Sequence, residues 1–90
     1  MYRRLVTLRH ETGLHVRPAT LFMEAAKRFH STVRVHKDDQ TADGKSAISL
    51  MLLEAGQGAL LHIEAEGPDE VSAVNALAEL VERPFGDIGV

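Results

Sequence analysis

His15 and Arg17 stand two residues apart in Gly13-Leu14-His15-Val16-Arg17-Pro18-Ala19-Thr20. A neutral imidazole is a competent nucleophile near pH 7, because one ring nitrogen keeps a free lone pair. A guanidinium two residues on supplies a full positive charge and a fork of donors that matches phosphate. Phosphoryl transfer needs positioned cations more than covalent help. The pair therefore suits a histidine that takes up a phosphoryl group, with Arg17 stabilising the moving charge. Taken alone, His15 would be an exposed loop residue or a helix cap, and Arg17 a solvated helix residue. Their combination is what points to chemistry.

The flanking residues predict how this pair is positioned. Gly13 permits backbone angles that a side chain forbids. Pro18 belongs in a helix's first turn, where its missing N–H leaves no hydrogen bond unmade. Ala19, Phe22, Ala26 and Phe29 are spaced three and four apart, as a helix laid on a core requires. His15 then lies where the first backbone N–H groups of that helix point outward without partners. Phosphoryl oxygens would be received there by the N–H groups of Val16 and Arg17.

Further along, Gly44-Lys45-Ser46-Ala47-Ile48-Ser49-Leu50-Met51 places a serine ahead of an apolar run. Ser46 suits an N-cap, with a short helix from Ala47 to Glu54 closed by Gly56. Ile48, Leu50, Met51, Leu52 and Leu53 make that helix apolar nearly all round. A short helix on a small domain buries one face. With Leu50 and Leu53 inward, Ala47, Ile48 and Met51 face solvent and form a docking surface for a partner. The alternative is a helix buried more deeply than usual.

The histidine segment resembles the active-site segment of HPr, the histidine-containing phosphocarrier of the bacterial phosphoenolpyruvate:sugar phosphotransferase system. It meets every position of the family pattern G-[LIM]-H-x-R-P-[AS]. The Lys45-Ser46 pair resembles the family's regulatory-serine segment, at the expected distance from the histidine. The resemblance runs from the first strand to a helix ending near Arg83. It implies phosphoryl transfer to the δ1 nitrogen of His15 from enzyme I, and donation to sugar-specific EIIA domains. It implies docking through Ala47, Ile48 and Met51, regulation at Ser46 by an HPr kinase/phosphorylase, and no cofactor. It also leaves two alternatives: a nitrogen-branch carrier, or a regulatory module acting through Ser46 and the second helix. Regulatory modules of this kind have lost the histidine, which is present here.

Ninety residues suffice for a single domain over 1–90, with a modest core. A net charge of −3 argues against a general nucleic-acid binder. The absence of cysteine excludes disulfides and thiolate metal sites and suits the cytoplasm. No stretch reaches the length of a membrane span. His10, His30, His36 and His62 are scattered without metal-ligand spacing, so they read as surface residues and no metal site is expected. A monomer is expected, and the tail from Arg83 to Val90 has no assigned role.

Alternation marks strands at Tyr2 to Leu8, Thr32 to His36, Gln40 to Ala42 and Leu60 to Ala65. Val6, Leu8, Val33, Val35, Leu61, Ile63 and Ala65 point inward. The first helix is expected to end near Arg28, with Lys27 and Arg28 at its negative end. A third helix starts at Gly67-Pro68-Asp69-Glu70, with Val71, Val74, Ala78 and Val81 as its seam beside Leu77, and ends at Pro84 and Gly86. The order β-α-β-β-α-β-α predicts an α+β fold: four antiparallel strands covered on one face by three helices. The resemblance implies the same open-faced β-sandwich.

Overall fold

The computed structural model describes residues 1–11 and 13–83. Strands β1 (Tyr2–Thr7), β2 (Thr32–Lys37), β3 (Gln40–Asp43) and β4 (Leu60–Glu66) form one antiparallel sheet in the order β1-β4-β2-β3. Helices α1 (Val16–Ala26), α2 (Ala47–Met51) and α3 (Glu70–Glu82) complete the expected β-α-β-β-α-β-α order.

Alternation along each strand sends Val6, Val33, Val35, Ala42, Leu61, Ile63 and Ala65 to one face, where none is more than 1% exposed. Ala19, Phe22 and Ala26 of α1, Leu50 of α2 and Leu77 and Val81 of α3 close over them. Leu8 and Leu53, just outside their elements, are buried as expected. The opposite face is open and polar. There the Arg34 guanidinium lies 2.8 Å from Glu64 and holds that carboxyl below the usual range, against the effect of burial. His36 also bonds Glu64, through Nε2 at 3.2 Å, and meets Thr41 Oγ1 through Nδ1 at 3.0 Å. His36 is thus a half-buried bridge between strands β3 and β4, not a plain surface residue. Between β2 and β3 the turn runs through Asp38, whose φ of 55° is tolerated because its side chain is short and polar.

Three expectations need correction. Helix α1 ends at Ala26, and Arg28 and Phe29 follow in tighter turns bonded to Ala25 and Ala26 carbonyls. Phe29 still packs on the core, but the cation at this end is Lys45, whose Nζ donates to the Phe29 carbonyl at 2.8 Å. Helix α2 stops at Met51, and Glu54 rather than Gly56 takes the left-handed backbone after it, with φ 52°. In α3 the seam is Ala73, Val74, Leu77, Ala78 and Val81, while Val71 is half exposed. The apolar spacing was right, but its phase is set by where the helix meets β1 and β4.

The start of α3 is clasped to the start of β2. The Asp69 carboxylate accepts the backbone N–H groups of His30 and Ser31, each at 2.9 Å, and the Ser31 hydroxyl at 2.5 Å. Those bonds, the Ser31 hydroxyl first, hold its carboxyl down at about 2. Gly67 must be glycine there, because a Cβ would come within 2.8 Å of Ser31 Cα. The helix ends at Glu82, and Arg83 takes the extended backbone favoured before a proline. The expected stop at Pro84 and Gly86, and the rest of the tail, lie outside the described residues.

Candidate functional site

His15 is the N-cap of α1, with extended backbone angles (φ −85°, ψ −171°) and an exposed side chain that makes no capping bond. Its carbonyl accepts the N–H of Ala19 at 2.9 Å, which closes the first turn. Pro18 has no N–H to offer. Among the described residues the N–H groups of Val16 and Arg17 have no acceptor, so both remain available at the positive end of the helix. The Arg17 side chain is exposed beside them. A phosphoryl group on the ring would meet two backbone donors and a guanidinium within one helical turn.

Buried neighbours set the position of the ring. Leu14 is sunk into the core at 4% exposure, and Pro18 and Ala19 are buried on the helix side. Gly13 adopts φ 74°, and the Leu14 N–H donates to the carbonyl of Ala55 at 3.0 Å. The histidine loop is thereby fastened to the segment that follows α2. Between the two lies a cleft of roughly 260 Å³ lined by Leu14, His15, Met51, Glu54, Ala55 and Gly56. Glu54 and Ala55 are the lining residues that the sequence does not point to. The apolar run predicts Glu54 at the end of α2, and no local signal distinguishes a helical glutamate from one in the left-handed turn.

Ser46 caps α2 as expected, its Oγ accepting the Ser49 N–H at 3.2 Å. Ser49 in turn accepts the N–H of Asp43 through its Oγ at 2.9 Å, tying α2 to β3. The surface expected of Ala47, Ile48 and Met51 is only partly there. Ile48 is 69% exposed, whereas Ala47 and Met51 are half-buried against the core. Leu52, one turn on from Ile48, is equally exposed at 69%, and Val16 beside His15 at 66%. A five-residue helix rises only about 7.5 Å, so Ser46, the exposed apolar residues and the cleft stand close together. No group of metal-ligating side chains occurs among the described residues.

A sequence profile described as the PTS HPr component phosphorylation site matches residues 2–83. The chain belongs to the HPr family. Relatives agree over nearly full length. The phosphocarrier protein HPr of Neisseria meningitidis is 36% identical over 87 residues, 97% of this chain and 98% of that protein. The HPr-like protein Crh of Halalkalibacterium halodurans is 37% identical over 83 residues, 92% of this chain and 99% of that one. Among solved structures, HPr-C-His from Thermoanaerobacter tengcongensis superposes with a TM-score of 0.91 at 40% identity, covering 96% of this chain and 97% of that one. HPr proteins are phosphocarriers of the phosphotransferase system, and the open-faced sandwich seen here is theirs. No described helix is long and apolar enough to cross a membrane.

Proposed function

We propose that this HPr-family chain accepts a phosphoryl group on His15 from enzyme I and donates it to an EIIA domain. The observation that carries this reading is the exposed His15 ring at the N-cap of α1, with the N–H groups of Val16 and Arg17 beside it unpaired among the described residues. In this role Arg17 offsets the charge of the phosphoryl group while it moves. A helix N-terminus typically contributes only about 0.3–1 kcal/mol to a bound anion. Such a modest hold suits a carrier, which must also release its cargo. The chain turns over no small substrate of its own, so it is a carrier rather than an enzyme, working in the cytoplasm as one monomeric domain. Ile48 and Leu52 of the α2 segment, with Met51 at the cleft, form the surface that partners cover.

A second reading makes Ser46 a regulatory phosphorylation site for a serine kinase. Its position at the cap of α2, next to the exposed Ile48, suits control of docking.

The test is incubation with enzyme I and labelled phosphoenolpyruvate. Acid-labile, base-stable label is expected on the native chain and none on His15→Ala, which should melt at the same temperature. No label on the native chain would overturn the carrier reading.

A further inference from the structure

One carboxylate lines the cleft that His15 also lines, and the transfer chemistry described above has no use for it. Glu54 shares that cleft with His15, and the other lining residues, Leu14, Met51, Ala55 and Gly56, are apolar. Its position is held from both sides. The Glu54 N–H donates to the Met51 carbonyl at 3.0 Å, and the adjoining Ala55 carbonyl receives the Leu14 N–H at 3.0 Å. The left-handed backbone at φ 52° disfavours any residue with a Cβ, yet a glutamate occupies it. Among the described residues its carboxylate makes no hydrogen bond or ion pair, and the side chain is exposed. A negative charge therefore shares the cleft into which a phosphoryl group on His15 would be brought.

We propose that Glu54 sets the phosphoryl-transfer potential of His15, making the chain a weaker acceptor and a stronger donor than an uncharged residue there would allow. This rests on the carrier reading. In the exchange the nitrogen–phosphorus bond of the donor phosphohistidine breaks as one to His15 forms. The donor imidazole keeps the electron pair and leaves neutral, and the second nitrogen of His15 retains its proton. No proton is taken up or lost, so Glu54 acts by charge alone and is not a catalytic residue. The phosphoryl oxygens carry about two negative charges. Arg17 and the helix end attract them and Glu54 repels them. The ring, which keeps its proton, becomes positive as it takes the group, so the net charge gained is about one negative unit; at a separation of ~7 Å with water-like screening the repulsion shifts the exchange equilibrium roughly two- to threefold.

The experiment mixes isotope-labelled native chain with Glu54→Gln, Glu54→Lys or Glu54→Gly, adds catalytic enzyme I and limiting phosphoenolpyruvate, and reads the phosphoryl distribution by intact mass. Glu54→Gln should hold the phosphoryl group roughly two- to threefold in preference to the native chain, and Glu54→Lys more strongly still. Both preferences should collapse toward unity near 1 M salt, where the Debye length is about 3 Å. Glu54→Gly removes the charge and also relaxes the backbone, so it should match Glu54→Gln; a purely conformational role would set the two apart. Equal partition for Glu54→Gln and Glu54→Lys, or a preference that ignores salt, overturns the proposal while the labelled native chain still upholds the carrier reading. A native chain that takes no label overturns both.

Discussion

The carbonyl oxygen of Ala55 occupies the space into which a side chain on Gly13 would project: a Cβ there would come within 2.2 Å of it. The same oxygen receives the Leu14 N–H, one residue before the phosphoryl-accepting histidine of the proposal. Gly13→Ala must therefore break that bond or shift the loop, in addition to holding φ 74° with a Cβ. The left-handed conformation alone costs a non-glycine residue about 1–2 kcal/mol. A lower melting temperature and slower labelling of His15 by enzyme I are both expected. Unchanged labelling would show that the fastening to Ala55 does not position the ring.

The docking surface has a sharper probe than the centre of α2. Ile48→Asp places a charge on a residue that is 69% exposed, so thermal stability should move by no more than about 0.5 kcal/mol. A partner covering Ile48 must desolvate that charge, so binding to enzyme I or an EIIA domain should weaken at least tenfold. Met51→Asp should lower both binding and stability, because Met51 is half-buried on the core. Titration calorimetry beside thermal melts checks the pair. Undiminished binding by Ile48→Asp would place the partner surface elsewhere.

Asp69 predicts an acid limb in the stability profile. Its folded-state pKa of about 2 lies below the ordinary 3.8, so ionisation favours the folded state. That contribution is complete above about pH 4 and is lost as the pH falls toward 2. Glu64, also held low by Arg34, adds to the loss in the same direction below its ordinary 4.5. Asp69→Asn should lower the melting temperature at pH 7 and flatten the profile between pH 4 and 2, measured by thermal melts across that range. A variant with the native slope would assign the acid limb to other carboxylates.

Ser46→Asp separates cap from switch. Aspartate caps helices about as well as serine, so the bond to the Ser49 N–H should be replaced and the melting temperature kept. The added charge stands beside Ile48, where a docking partner would have to strip its water. Slower His15 labelling by enzyme I is expected, by a smaller factor than authentic phosphoserine would give, since the mimic carries less charge. Native labelling kinetics for both would leave Ser46 a helix cap only.

How much of this was visible in the chain itself follows the range of the forces involved. Strand alternation, the Ser46 cap and the Gly-x-His-x-Arg-Pro run are local, and each was legible because its cause lies within a few residues. Val33, Val35, Leu61, Ile63 and Ala65 face inward as their period demands. The start of α1 likewise needed only a proline and the spacing of Ala19, Phe22 and Ala26.

What tertiary structure decided are the relations between distant segments. The phase of α3, with Ala73 buried and Val71 exposed, depends on how the helix meets β1 and β4. Met51 is half-buried, against the expectation from placing Leu50 and Leu53 inward, because α2 is about one turn shorter than Ala47 to Glu54 and leans its side onto the core. Lys45 reaches the end of α1 across sixteen positions, and Asp69 holds Ser31 across thirty-eight. Above all, residues 13–15 and 54–56 share one cleft only because a backbone bond from Leu14 to Ala55 brings them together. The sequence determined which residue could carry a phosphoryl group. Packing alone decided which charge shares its cleft, because that pairing rests on contacts some forty residues apart that no local pattern encodes.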